Sequence, residues 1–177
     1  MPSPYIPNGR SIILVVAALC LFLFRPTITV AQENFLPNLE VVFEYGRDAI
    51  ELTASDLDNL TQRSIRTHSP YYKGQVEFSG PMLVDLLTSV AGQDIGDYIG
   101  ISLYALNNYV VHTTFGELKR IEALLATRRE GKRLSIRERG PYWIILPLTD
   151  RKELDSEHFH KLMVWQLQKI RFGGYSD

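Results

Sequence analysis

The sequence predicts one mixed α+β domain, and three observations carry that prediction. Short β-branched and aromatic runs recur across residues 39–172. Short helical segments are scattered among them rather than alternating regularly with them, which argues against a doubly wound sheet. Taking the first 31 of the 177 residues as a leader leaves 146, a length that suits one domain with an adequate core. These 146 residues hold no repeat, low-complexity tract or internal linker.

The leader comes first in the chain. Arg10 is the only charge before a run of thirteen apolar residues, Ile12 to Phe24, and no acid occurs before Glu33. A charged start and a short apolar core are the marks of a secretory signal. The run falls short of the ~20 residues a membrane-spanning helix needs. Thr29-Val30-Ala31 offers a small-residue cleavage site, so a signal peptide over 1–31 and a mature domain over 32–177 are expected, in the periplasm. An uncleaved N-terminal anchor is the alternative, because Arg25-Pro26 is an untidy exit. Cleavage removes Arg10 and Arg25 from the 19 basic residues, so 17 bases face 20 acids, a net charge of −3. That balance argues against non-specific binding to nucleic acid or anionic membranes. The one cysteine, Cys20, goes with the leader, so the mature chain has no disulfide and no thiolate ligand.

Along the mature chain, Leu39 to Tyr45 is a strand by composition. Gly46-Arg47-Asp48 turns it into Ala49 to Leu52. Thr53, with acids following, caps a short helix. Gln62 to His68 alternates weakly as a strand, Ser69-Pro70 and Lys73-Gly74 punctuate a loop over Ser69 to Gln75, and Val76 to Ser79 is a short strand. Gly80-Pro81 opens the clearest helix, Met82 to Val90, with Leu83, Leu86, Leu87 and Val90 on one face and Gly92 as its end. Asp97 to Leu106 and Tyr109 to Thr113 are strands around Asn107-Asn108, and Thr114 to Ile121 is one or two helical turns. Leu124 to Arg128 and Leu134-Ser135 flank a Glu130-Gly131 turn. Tyr142 to Leu146 is a buried strand, Ser156 to Leu162 a short helix, and Met163 to Phe172 the closing strand.

Three kinds of site chemistry can be weighed from these residues. The histidines His68, His112, His158 and His160 show no metal-binding spacing, and on a helix His158 and His160 diverge. No nucleophile motif occurs, and Ser79 reads as a helix-start residue. The acid pairs Asp56 with Asp58 and Asp155 with Glu157 read as solvated helix starts. An anion or ring site is the third. Arg128, Arg129, Lys132, Arg133, Arg137 and Arg139 lie within twelve residues, and guanidinium forks suit carboxylates and phosphates. A solvated hairpin reads the same way. The company of Asn107, Asn108, Tyr109, Trp143 and Trp165 favours a slot for a flat, hydrogen-bond-rich ring, although each tryptophan alone also reads as core.

Four segments together resemble the small exported members of the sulfite-oxidase-type molybdopterin-binding family. They are FSGPMLVDLL from Phe78, YALNNY from Tyr104, LATRREGKRLSIRERGPYW from Leu125 and VWQLQKI from Val164. They run in family order across nearly all of residues 40–172. The resemblance implies a sulfite-oxidase-like molybdopterin-binding fold with mostly antiparallel mixed sheets and short helices. Full-length members hold molybdenum through a cysteine thiolate, which should fall after Gln62 to His68. Here that region reads Thr67-His68-Ser69-Pro70-Tyr71-Tyr72, and neither Thr nor Ser replaces a soft thiolate.

Cysteine-less members of this kind resemble pterin-binding sensors outside the inner membrane. The resemblance therefore implies a reduced pterin as ligand, with molybdopterin possible and no molybdenum. It implies as partner the periplasmic domain of a membrane diguanylate cyclase or phosphodiesterase, which makes or breaks cyclic di-GMP. On this reading Tyr109 or Trp143 contacts the ring, and Asn107 and Asn108 read its amide edge. Arg128 and Arg137 hold polar or anionic groups, and His68 and Tyr72 close the slot. A molybdopterin-dependent oxidoreductase and an interaction module with an empty slot are the alternatives.

Overall fold

The computed structural model describes residues 36–44, 47–93 and 95–173. Residues 1–35, which hold the expected leader, the expected cleavage site and Cys20, lie outside the described residues. Among the described residues no helix is long and apolar enough to cross a membrane.

The chain is α+β, as its short interspersed elements require. Strands β1 (Leu39–Phe43), β2 (Ile50–Leu52), β5 (Gly100–Ala105), β6 (Val110–Thr114) and β11 (Leu167–Phe172) form one mixed sheet. Its order is β2-β1-β11-β5-β6, with β1 and β11 parallel and every other pair antiparallel. A four-stranded antiparallel sheet has the order β3-β4-β8-β9, from β3 (Gln62–Ser69), β4 (Tyr72–Pro81), β8 (Arg128–Arg129) and β9 (Lys132–Arg133). Strands β7 (Leu124–Ala126) and β10 (Trp143–Ile145) pair antiparallel between buried residues. Single bridges tie Met82 to Leu124 and Trp143 to Trp165.

Among the described residues four short α-helices join these strands: α1 (Ala54–Asp58), α2 (Leu83–Ala91), α3 (Phe115–Arg120) and α4 (Glu157–Leu162). Thr53 caps α1 reciprocally. Its hydroxyl accepts from the Asp56 N–H at 3.2 Å, and its own N–H reaches Asp56 Oδ2 at 2.8 Å, so two otherwise orphaned donors are satisfied. In α2 the buried face is Leu83, Leu86 and Leu87, the i, i+3, i+4 spacing of an amphipathic helix. Gly92 ends it at φ 101°, a conformation that favours glycine. Glu130 (φ 47°) and Gly131 (φ 74°) join β8 to β9 through a two-residue turn whose positive angles match the strand twist.

Two expectations differ. Gly80-Pro81 does not open the helix and Ser79 is not a helix-start residue; all three lie in β4, and Met82 is the N-cap residue of α2. Ser69 to Gln75 is not a loop; β3 and β4 form a long hairpin turning at Pro70-Tyr71, with Ser69 opposite Tyr72. Between the Thr67–Val76 and Ser69–Tyr72 pairs, β4 carries two extra residues, and Gly74 at φ 72° absorbs the excess. The bulge hides the two-residue alternation that would have announced the strand.

Beside this sheet, Asp58 accepts a two-pronged hydrogen bond from Arg128, at 2.7 and 3.0 Å, and pairs with Arg133. The Arg128 hydrogen bond is the largest influence holding the Asp58 carboxyl below its ordinary value of 3.8. A depressed folded-state value stabilises the protein above the unfolded value, and the contribution is lost as pH falls through the folded one. Asp58→Asn should therefore cost about 1–2 kcal/mol at neutral pH, since both partners are still partly exposed. Urea melts should also show a smaller stability loss below about pH 4 than the native protein shows. Equal acid slopes for the two proteins would remove Asp58 as the titrating group.

Candidate functional site

A cleft of about 230 Å³ opens where three connections meet. Tyr71 comes from the β3–β4 turn, Asn107 and Tyr109 from the β5–β6 turn, and His160, Lys161, Met163, Val164 and Trp165 from the end of α4 and the segment after it. The Tyr71 hydroxyl donates to the His160 carbonyl at 3.0 Å, and the Tyr109 hydroxyl donates to the Lys161 carbonyl at 3.2 Å. The His160 carbonyl also accepts the Met163 N–H at 3.1 Å, and the two phenols tie the β3–β4 and β5–β6 turns to the end of α4. Burial pushes the Tyr71 phenol above its ordinary value, which keeps it a donor.

Aromatic packing fixes one wall. Tyr71 and Trp165 meet edge to face at 5.0 Å. The Arg139 guanidinium lies 5.3 Å from the Trp143 and Trp165 rings and 5.8 Å from Tyr71, and it donates to the Tyr71 carbonyl. A cation over ring faces is attracted to them, and here it bridges the turn to the closing segment. Arg139 adopts φ 69°, and its carbonyl accepts from the Gln166 N–H at 2.9 Å.

Of the eight residues the sequence suggested, the structure brings Asn107 and Tyr109 to the cleft. Asn107 Oδ1 is already used, accepting the Tyr109 N–H at 3.1 Å, so its amide N–H₂ is the group left for a ligand. Asn108 sits at the turn apex, exposed at φ 64°. Tyr72 turns away from the cleft. At the start of β4 it packs against Phe78 and Trp143, and burial raises its phenol to about 12. Trp143 is 1% exposed, and its indole N–H donates to the Met163 carbonyl at 3.2 Å. Arg128 is held by Asp58, and Arg137 is exposed on a 3-10 turn over Ile136–Glu138; neither lines the cleft.

His68 stands behind the lining. Its Nδ1 lies 3.0 Å from Thr149 Oγ1 and its Nε2 2.9 Å from Asp155 Oδ2. Asp155 Oδ1 in turn lies 2.7 Å from Nε2 of the cleft residue His160. Sequence reasoning missed Tyr71, His160, Lys161 and Arg139 as site residues. The available signals were the Tyr71-Tyr72 pair after Ser69-Pro70 and Asp155 ahead of a histidine-bearing helix.

The residues do not fit a molybdenum ion. The hairpin tip offers no thiolate. Both His68 ring nitrogens are engaged, the Ser69 hydroxyl accepts the Tyr71 N–H at 3.2 Å, and the Thr67 hydroxyl accepts from the Thr149 N–H at 3.2 Å. Among the described residues no group of three or more His, Cys, Asp or Glu is arranged to hold a metal.

No protein-family model matches the chain, and no curated protein matches it in sequence. Among solved structures it is similar to the sulfane dehydrogenase SoxCD from Paracoccus pantotrophus, with a TM-score of 0.55 at 14% identity. The likeness covers 77% of this chain and 38% of that one, so this chain spans about two-fifths of that protein's length. At that identity the likeness shows the fold, which is the α+β, sulfite-oxidase-like arrangement implied by the four sequence segments.

Proposed function

We propose that this chain is a pterin-binding protein without molybdenum chemistry, whose ligand is a reduced pterin. The observation that carries this reading is the cleft itself. Tyr71, Tyr109 and Trp165 offer ring faces and edges, while the Asn107 amide, His160 and Lys161 add hydrogen-bonding groups. Apolar walls with a few polar groups are what orient a flat heteroaromatic ligand. Its 230 Å³ falls below the roughly 300–1,000 Å³ of pockets for larger ligands, which suits a bicyclic ring better than one with a long phosphorylated tail. The signalling role extends the same reading. Pterin occupancy would alter the surface formed by the β3–β4 and β5–β6 turns, and the periplasmic domain of a membrane diguanylate cyclase or phosphodiesterase would sense it.

Mass spectrometry of small molecules carried by periplasm-expressed protein, with metal analysis on the same sample, tests the ligand. A co-purifying pterin without stoichiometric molybdenum is expected. The fold shared with a sulfane dehydrogenase favours a second reading, a molybdopterin-dependent oxidoreductase; about one molybdenum per chain would establish it instead. Trp165→Ala should weaken pterin binding roughly ten- to a hundred-fold in calorimetry, the loss expected for one aromatic–ring contact. Arg137→Ala should leave the affinity unchanged, because its side chain does not line the cleft. For the partner, linkage demands that its domain change pterin affinity by the factor by which pterin changes partner affinity. Identical pterin titrations with and without that domain would leave a binder but no switch.

A further inference from the structure

Strand β3 is the outer strand of its sheet among the described residues, with β4 on one side and no strand on the other. Bonds on β4 fix the direction of its backbone groups. The Glu77 carbonyl accepts the Glu130 N–H and the Ser79 carbonyl accepts the Thr127 N–H, both at 2.9 Å, so Glu77 and Ser79 face away from β3. Val76, Phe78 and Gly80 therefore face β3, where they pair with Thr67, Ile65 and Arg63. The N–H and C=O groups of Gln62, Ser64 and Arg66 thus point out of the sheet, and no described residue bonds to them. His68 is next in this outward row, but its N–H is spent on Thr149 Oγ1 at 3.0 Å. The open row runs from Gln62 to Arg66 with Ser64 at its centre, and Gln62, Arg63, Ser64 and Arg66 are exposed. Such an edge pairs with another strand unless something blunts it. Residues 62–67 hold no proline and pair with β4 in regular register, without a bulge.

We propose that two copies of this chain join antiparallel through β3, about a two-fold axis at Ser64. Hydrogen bonding and charge select that register. With the axis at Ser64, Ser64 exchanges both bonds with its counterpart, Gln62 does so with Arg66 of the second copy, and no outward group is left over. An axis at Arg63 or at Arg66 would set two arginines directly opposite each other, which is destabilising. An axis at Ile65 would set Gln62 against the spent N–H of His68. An axis at Gln62, the first residue of β3, would leave Ser64 and Arg66 beyond the end of the second strand. In the Ser64 register Arg63 falls opposite Ile65 of the second copy, where its aliphatic stem covers the half-buried isoleucine. The two Arg63 heads are only diagonal neighbours, exposed to screening solvent. Arg66 already lies 3.6 Å from Glu77 and 3.5 Å from Glu130, so its charge is offset within its own sheet. It falls opposite Gln62 of the second copy. The Gln62 Nε2 donates to the Leu57 and Leu60 carbonyls at 2.8 and 2.9 Å, which leaves Oε1 to accept from that guanidinium. The two four-stranded sheets become one continuous sheet, and the hairpin tips at Pro70-Tyr71 point in opposite directions. This pairing does not depend on the pterin reading.

The test is sedimentation velocity on the exported protein over a concentration series reaching about 100 µM. Native protein should show a monomer–dimer equilibrium. Ser64→Pro should weaken it at least about a hundred-fold, because it removes the N–H at the axis, and an edge strand tolerates proline where that N–H faces outward. A cross-link reads the register even where that variant folds poorly. In a Cys20→Ser background, Ser64→Cys should give a disulfide-linked dimer under mild oxidation, since a hydrogen-bonded antiparallel pair sets its Cα atoms about 5.5 Å apart. Gln62→Cys should not, because its counterpart lies beside Arg66, about 13 Å along the strand. Native protein that stays monomeric across the series would overturn the proposal. So would a dimer that Gln62→Cys links and Ser64→Cys does not, a native-strength dimer in folded Ser64→Pro, or a Ser64→Cys that links only to a different protein. None of these results bears on ring binding in the cleft, and a failure to bind pterin leaves the dimer standing.

Discussion

Trp143→Ala is expected to lower stability by about 3–5 kcal/mol, the range for truncating a buried large aromatic. Trp143 is 1% exposed and packs edge to face against Phe78 at 5.4 Å and Tyr72 at 6.0 Å. Its indole N–H supplies a bond to the Met163 carbonyl, which the variant leaves without that donor. Its backbone also pairs with Ala126 on one side and bridges to Trp165 on the other. Truncation therefore opens a cavity between the sheets and loosens the strand that supports the cleft wall. A urea midpoint close to the native value would show that this ring is not the centre of the core. The contrast with Trp165 separates two roles: the first tryptophan should act on stability, the second on affinity.

Gly80→Ala should cost about 3 kcal/mol or more, at or above the usual range for overpacking. A Cβ at this position would stand 2.0 Å from the Leu125 carbonyl oxygen and 3.1 Å from the Thr127 nitrogen. Both obstacles are backbone, held in place because the Thr127 N–H donates to the Ser79 carbonyl at 2.9 Å and the Leu83 N–H to the Ala123 carbonyl at 2.8 Å. No rotamer change can make room. Gly131→Ala is the control. It meets nothing within 4 Å but holds φ 74°, so it should lose only about 1 kcal/mol to backbone strain. Thermal melts ranking the two variants in the opposite order would refute the close approach of β4 to residues 125–127.

Much of the architecture could be read from local chemistry. The Thr53 cap, the Leu83–Leu86–Leu87 face with Gly92 after it, and the Glu130-Gly131 turn lie where their residue types demand. Hydrogen-bond satisfaction and hydrophobic periodicity act within a few residues, so a sequence displays them directly. The β3–β4 hairpin escaped because a bulge with Gly74 breaks the alternation that identifies a strand.

The site was only partly legible. Asn107 and Tyr109 were read from an amide and an aromatic at a turn, and both line the cleft. The basic run was visible, but not where each guanidinium would go. Arg128 finds Asp58 seventy residues away, and Arg139 enters an aromatic cluster drawn from three separate segments.

The sequence by itself determined the α+β class, the caps and turns, and the lack of any cysteine after Cys20, because each depends on residue identity and near neighbours. Only the tertiary structure decided which of Tyr71 and Tyr72 faces the cleft, which arginine joins the aromatic wall, and that Asp155 stands between two histidines. The physical reason is range. A cap or turn is satisfied by atoms a few residues away, whereas a buried ring, a guanidinium or a carboxylate takes whatever partner the folded chain brings to it. His68 and Asp155 are 87 residues apart in sequence and 2.9 Å apart in space.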